Sequence, residues 1–367
     1  MEKIKANESK AFSNAALYQK ENASSGSSET KLGFSRAYSL ALAPHIIYTR
    51  SSLLPLLVSS RSDQSLEFLA VGSWFVYSAN ADEGAEPHLS RVPSSREDLF
   101  ADDSIPPRAK RSLMKFLRFI ADFENQEDTW KDQGETPFHD FLSSRFGLPA
   151  AVQAPFQALT LSPYSPSKTT TYYALPRIAR HLRSIGLFGP GFGAVIPKWG
   201  GLAEIAQVGC RAGAVGGATY MLGTGLEGKD LQHEEVAAGE GSLTGPSAGH
   251  FNISLTTGDK VTPKWLASSS GDTGSSATNA VTASSVTISR CISVISSPLK
   301  ALFPPLAEGA PQSAVAVVVF PSASLDTDNA LQEEQPPIHL FVHSSETGEC
   351  PTGQCKSNPP LSPISLA

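Results

Sequence analysis

Residues 186–225 read GLFGPGFGAVIPKWGGLAEIAQVGCRAGAVGGATYMLGTG and hold twelve of the chain's 29 glycines. Residues without a Cβ at this density mean that the backbone turns sharply or comes close to something. Between the glycine clusters the pattern predicts one short helix, Leu202 to Ala214. Gly200-Gly201 marks its start, and Glu204 falls in the first turn, where a carboxylate suits the positive end of the helix dipole. Ile205, Gly209, Ala212 and Gly213 recur at helical spacing and are mostly tiny, which predicts a face lying almost backbone to backbone on a sheet. Beyond Gly216-Gly217 the chain reads as a strand, Ala218 to Leu222, with Thr219 and Met221 on one face and Tyr220 on the other.

A phosphate-binding loop needs glycines between a strand and a long helix, so that amides and the helix N-terminus cradle the anion. Gly189-Pro190-Gly191-Phe192-Gly193 lacks the preceding strand, Pro197 and Gly200-Gly201 interrupt the residues after it, and no G-K-[ST] is present. A close-packed helix–strand corner without a ligand satisfies the pattern alone.

The chain of 367 residues is long enough for two domains and a sizeable core. Its net charge of −6, with no basic stripe interleaved with aromatics, argues against nucleic acid as a partner. Four widely spaced cysteines, Cys210, Cys291, Cys350 and Cys355, suit a reducing cytosol better than a disulfide framework. His339 and His343 near Cys350 and Cys355 match no zinc template, so no metal is expected. The polar start MEKIKANESK is not a secretory leader, and the longest apolar runs are strand-length rather than the ~20 residues of a membrane span. A soluble, cytosolic chain is expected.

Residues 1–34 are Ser-, Asn-, Glu- and Lys-rich and are expected to be disordered. Over 35–103, Tyr38 to Arg50 runs into a short helix with Ser51 as its cap, Leu66 to Tyr77 reads as strand or hairpin, and Arg91 to Pro93 is extended. Ser94 and Glu97 make a capping box. Residues 104–190 change to amphipathic helices: Pro107 to Phe123, Pro137 to Phe146, Ala150 to Leu161, and Pro176 to Ile185 with proline first and Gly186 as stop. The first carries Leu113, Phe116, Leu117 and Ile120 on one stripe with Arg108, Lys115 and Arg118 outside it. Four such helices make a small bundle. Residues 191–227 hold the corner. Residues 228–285 are low in complexity and read mostly as a disordered insertion, Val286 to Val294, Ala314 to Phe320 and Ile338 to His343 within 286–349 as strands, and 350–367 as a disordered tail.

Several blocks in register resemble the Rab GDP-dissociation inhibitor and Rab escort protein superfamily, its fungal escort branch above all. They are PRIARHLRSIGLFGPGFGAVIPKWGGLAEIAQVGCRAGAVGGATYML, YSLALAPHIIYTRSSLLPLLVSS, LEFLAVGSWFVY, RVPSSREDLFADDSI, KRSLMKFLRFIADFE and FVHSSETGECP. The likeness spans roughly Arg36 to Leu226 and Ser313 to Gln354. It implies an α/β (α+β) fold: a sheet domain related to flavin-binding oxidoreductases, with an inserted all-α helical domain. Members open with a strand, a G-x-G turn and a helix; no stretch before Arg36 is similar to these, so the sheet is expected to lack that strand.

The resemblance also implies partners. The GDP form of a Rab small GTPase would sit on a platform that includes Glu204, Arg211, Thr219, Tyr220 and Met221. The geranylgeranyl lipid would enter the bundle, where Phe116, Leu117, Ile120 and Leu182 stand in apolar stripes. Each buried methylene contributes about 0.8 kcal/mol, which makes extraction from a membrane feasible. Phe138 matches a contact to the Rab geranylgeranyltransferase heterodimer, and membrane contact is transient. The role implied is that of a non-catalytic accessory subunit without a cofactor. Read from the residues alone, Glu204 caps its helix, Met221 is core, and the apolar stripes are ordinary packing. Within the superfamily the alternative is a GDP-dissociation inhibitor; in another class it is a degenerate flavoprotein oxidoreductase, whose glycine turn and acidic ribose partner do not occur here. A nucleophile elbow, H-E-x-x-H and paired C-x-x-C are likewise not found.

Overall fold

The computed structural model describes residues 32–42, 45–79, 86–93, 105–234, 250–267, 288–306, 308–325, 335–358 and 360–361. The chain divides into a larger unit, Thr30–Gly216 with Val286–Ala367, and a smaller unit that includes Gly217–Ser285.

In the larger unit the chain runs through β1 (Ile47–Tyr48), α1 (Leu53–Ser59), β2 (Phe68–Ser78) and β3 (His88–Arg91). Helices α2 (Pro107–Ala121), α3 (Glu127–Trp130), α4 (Phe138–Phe146), α5 (Ala154–Leu159) and α6 (Thr171–Ser184) come next. Then come β4 (Ala194–Pro197) and α7 (Leu202–Val215). The smaller unit contributes β5 (Leu226–Glu234), β6 (His250–Leu255) and β7 (Lys260–Val261). The chain returns with β8 (Ser289–Arg290), β9 (Ser293–Ile295), β10 (Val315–Phe320), β11 (Ile338–Ser344), β12 (Cys355–Asn358) and β13 (Pro360–Leu361).

Among the described residues an eight-stranded sheet takes the order β1-β4-β2-β10-β11-β12-β9, with β3 also paired to β2. Strand β10, VAVVVF, is buried along almost its whole length and lies parallel to β2, as expected of a strand covered on both faces. The β2–β10 register slips between Val315↔Val71 and Val317↔Trp74, so β2 carries an extra residue there. Gly72 sits in this bulge, where an added Cβ would stand 2.2 Å from Ser313 Cβ. The extra residue lets Val71, Trp74 and Val76 all join the core shared with the helices. Phe75, Ala316, Val318, Val342 and Cys355 form a separate cluster with Leu299, Leu302 and Phe303 packed against it.

Helices α2, α4, α5 and α6 pack around one apolar core. In α2, Ala109, Leu113, Phe116, Phe119 and Ile120 are buried on one side. Phe116 makes ring contacts with Phe119, Phe138, Phe146 and Phe156, at centroid distances of 5.1 to 6.3 Å. Helix α4 ends on Gly147, whose φ of +64° is the left-handed cap that glycine supplies without strain.

Several expectations need correction. Helix α6 begins at Thr171 rather than Pro176, because Thr170 Oγ1 accepts a hydrogen bond from Tyr173 N and its first turn is tied to the loop between α3 and α4 by Tyr172 N donating to Gly134 O. Pro176 therefore lies inside the helix. Helix α1 is flanked by Ser52, and no side-chain cap is made. The segment Ala218–Leu222 is not a strand; the regular structure begins at Leu226. The stretch 228–285 is not structureless throughout, since β5, β6 and β7 form an antiparallel three-stranded sheet. The tail is ordered as far as Asn358: β12 pairs with both β11 and β9, and Pro360–Leu361 pair with β8. The Ser94–Glu97 capping box and most of the segment 1–34 lie outside the described residues.

Candidate functional site

Two glycines launch helix α7. Gly201, at φ +62° and ψ −132°, occupies a conformation closed to other residues, and Trp199 before it also has a positive φ of +78°. Trp199 N donates to Thr347 O at 2.7 Å, and its ring covers Gly348, where an added Cβ would meet it at 2.3 Å. The start of α7 is thus pinned to the end of β11. Leu202 and Ile205 reach the cluster of Ile47, Leu54, Leu57, Phe192 and Val195. Beyond that anchor the expected close packing on a sheet does not occur: none of the fourteen residues of α7 is buried, and a Cβ added at Gly209 would touch nothing within 4 Å. The small residues leave an open helix surface.

Glu204 and Arg211 stand seven residues apart on this helix, about 10.5 Å along its axis, nearly two full turns, and so on one face. Glu204 is half-buried at the first turn, where Gln207 Nε2 approaches its Oε1 at 3.5 Å; Arg211 is exposed. Thr219, Tyr220 and Met221 belong to the smaller unit and are exposed, Tyr220 by 51 % and Met221 by 47 %.

The bundle residues fall differently. Phe116 and Ile120 are fully buried in a filled core, while Leu117 and Leu182 are partly buried against it. A space of about 30 Å³, room for roughly one water, lies where α5 and the loop after it meet the ends of β10 and β11. A wider open groove of about 750 Å³ lies beside Trp130 and Tyr172. Phe116, Leu117, Ile120 and Leu182 line neither. Phe138 is 1 % exposed, faces the small space and is a core residue of α4, so in this conformation its ring offers no outer surface.

Sequence reasoning missed a buried polar network at the foot of the sheet. Lys356 Nζ donates to Glu349 Oε1 at 3.2 Å, and His343 Nδ1 is hydrogen-bonded to Glu349 Oε2. Burial pushes the Glu349 carboxyl up, but the His343 hydrogen bond and charge and the Lys356 ammonium outweigh it and hold the group below the usual carboxylate range. Burial pulls the Lys356 ammonium down against the opposing pull of Glu349. His181, wedged edge-on against Tyr48 and Trp74, is driven by burial to a pKa of about 4. Only the register of β11 and β12 joins Lys356 to His343, and nothing local in the sequence marks that pairing. Among the described residues no cluster of His, Cys, Asp and Glu has the makings of a metal site, and no helix is long and apolar enough to cross a membrane.

The fold is thus a sheet with a helical bundle inserted between its strands and a glycine-launched helix open beyond its first turn. A profile of the GDP dissociation inhibitor family matches residues 2–245, and the chain belongs to that family. The match begins well ahead of Arg36, where the legible resemblance started. Among curated relatives, a Saccharomyces cerevisiae protein called Rab proteins geranylgeranyltransferase component A is 33 % identical over 216 residues, 58 % of this chain and 33 % of the relative. Its Candida albicans namesake is 29 % identical over 321 residues, 87 % of this chain and 46 % of the relative. Rab escort protein 1 of Arabidopsis thaliana is 29 % identical over 226 residues, 57 % of this chain and 39 % of the relative. The chain thus spans less than half the length of each of these relatives. A crystal structure of Rab GDI from Plasmodium falciparum has the same fold, with a TM-score of 0.59 at 17 % identity, covering 91 % of this chain and 70 % of that one.

Proposed function

We propose that this chain acts as a Rab escort protein: it binds a Rab GTPase in the GDP form, presents it to Rab geranylgeranyltransferase and accompanies the prenylated product to membranes. It takes no catalytic part. The observation that carries the reading is α7, an apolar helix that buries none of its residues and offers Glu204 and Arg211 on one face. A carboxylate and a guanidinium so placed can take charge-assisted hydrogen bonds from and to a protein surface. In the smaller unit, exposed Tyr220 and Met221 offer adaptable apolar area of their own. The names of the fungal and plant relatives support the same role.

Lipid uptake is assigned to the bundle, with Phe116, Leu117, Ile120 and Leu182 as the walls that must separate to admit it. The filled interior means that uptake requires movement of helices, which the proline within α6 makes easier by removing one backbone hydrogen bond. The transferase contact is assigned to the exposed side of α4, which Phe138 supports from beneath.

The test is a binding experiment with purified chain, GDP-loaded Rab and transferase. A ternary complex that supports prenylation is expected. A chain that holds prenylated Rab but recruits no transferase would instead be a dissociation inhibitor, and one that binds no Rab would refute the proposal.

A further inference from the structure

The outer face of the bundle carries a concentration of positive charge that Rab recognition does not use. Arg108, Arg111, Lys115 and Arg118 are all exposed on α2 and fall within an arc of about 80° at 3.6 residues per turn. Helix α6, which packs on α2, exposes Arg177 and Arg180. Arg183 ties the two together by donating to Ala121 O at 3.0 Å at the C-terminal end of α2, and it is neutralised by Glu124. The sequences of α2 and α6 contain no acidic residue, and among the described residues none of the six exposed cations forms an ion pair. This is a local excess of six positive charges on a chain whose net charge is −6.

An apolar tip stands at the end of the same helix pair. Past Ile185 the chain enters Gly186-Leu187-Phe188-Gly189-Pro190-Gly191, where Leu187 is 48 % and Phe188 57 % exposed. Gly186, Gly189 and Gly191 all have positive φ, which projects the two side chains on a tight loop. Arg50 is fastened beside it, its Nε donating to Arg183 O at 2.8 Å.

We propose that this face docks on an anionic phospholipid surface, with the α2 and α6 cations over the headgroups and Leu187 and Phe188 entering the interface. The proposal rests on the escort reading for its purpose, since a carrier of a lipidated protein must meet a bilayer. Its physical case is independent. Long flexible cations without an anionic partner, spread along two helices without a pocket, suit a diffuse planar charge better than the fixed carboxylates of a protein. A leucine and a phenylalanine on a loop tip are the residues that partition into the boundary between headgroup and acyl chain.

The experiment is sedimentation of the full chain, without Rab, with vesicles of phosphatidylcholine alone and with added phosphatidylserine. Binding only to the phosphatidylserine vesicles is expected, weakening as salt rises. Each cation near such a surface contributes roughly fivefold, so Arg108→Glu, Arg111→Glu and Lys115→Glu together lower affinity by about a hundredfold or more. Leu187→Ser with Phe188→Ser lowers it by about tenfold or more at every salt concentration. All five positions are exposed, and an unchanged urea midpoint shows that the variants fold. Equal binding to both vesicle types, or full binding by the charge-reversed chain, overturns the proposal. So does a charge-reversed chain that binds vesicles normally but loses the transferase, which would assign the face to an acidic protein. Binding of GDP-loaded Rab in solution is expected to survive these substitutions. If Rab binding is absent from the unaltered chain while vesicle binding persists, the escort reading falls and the docking surface stands.

Discussion

Glu349 and Lys356 are buried in each other's company, and the cost of separating them is the cost of leaving one charge in a low-dielectric site. Lys356→Met removes the ammonium while Glu349 keeps only His343 and Thr347 as partners. A loss of about 3–5 kcal/mol is expected, read as a fall in the urea midpoint. Glu349 is held below its usual range in the folded chain, so its contribution is present above the unfolded carboxylate pKa and is lost as pH falls through the lower folded value. His181 has the same sign by a different route. Its folded pKa of about 4 lies below the unfolded 6.5, so the unfolded chain binds the extra proton first. Stability is full above pH 6.5 and declines toward pH 4, by up to about 3 kcal/mol from this group. His181→Phe is expected to flatten that part of the curve of unfolding free energy against pH. An unchanged slope would show that His181 is hydrated rather than packed against Trp74.

Helix α7 makes its predictions as an element. Because it is anchored at Leu202 and Ile205 and open beyond them, under the proposed role Glu204→Ala and Arg211→Ala are expected to weaken Rab binding at least tenfold each while leaving the free energy of unfolding in urea within about 0.5 kcal/mol. Gly209→Ala separates the helix's own stability from its use. A methyl there meets nothing in the free chain, so it stabilises by about 0.5–1 kcal/mol through helix propensity. If a GTPase lies close against α7, the same methyl lowers affinity, and calorimetry of both states reads the two effects. Elements of this kind also show what a sequence makes legible. The helices α2, α4 and α7 and the strand β10 announce themselves by apolar period and by glycine or proline at their ends. The start of α6 did not, because its cap is a threonine whose bond to Tyr173 is ordinary in composition and visible only in geometry. The strand expected at Ala218 failed because alternation describes a half-buried strand, whereas these residues are exposed and form no strand of the described sheets. Glu204 and Arg211 are singled out by resemblance alone, and whether their helix is open or packed depends on neighbours that spacing does not reveal.

At the scale of the whole molecule the chain is two units with separate hydrogen-bonded sheets. The order β2-β10 at the centre of the large sheet joins residues some 240 positions apart, so this unit cannot be complete until β10 is made. Among the described residues the smaller unit's β5-β6-β7 meander pairs only with itself. Replacing residues 226–267 by a short Gly-Ser linker is therefore expected to leave the larger unit's melting temperature within a few degrees of the parent, because loop length enters only logarithmically. A collapse of the melting transition would show that the meander completes the larger core.

The filled bundle has a consequence for any hydrocarbon guest. Phe116, Phe141, Leu142, Leu175 and Ile178 present no surface until the helices part, so the guest meets a vacancy only in the fraction of molecules that have opened. Its measured dissociation constant is the intrinsic one divided by that fraction. The rate of capture then levels off with guest concentration at the frequency of opening, and a looser bundle would load faster at the expense of its own fold.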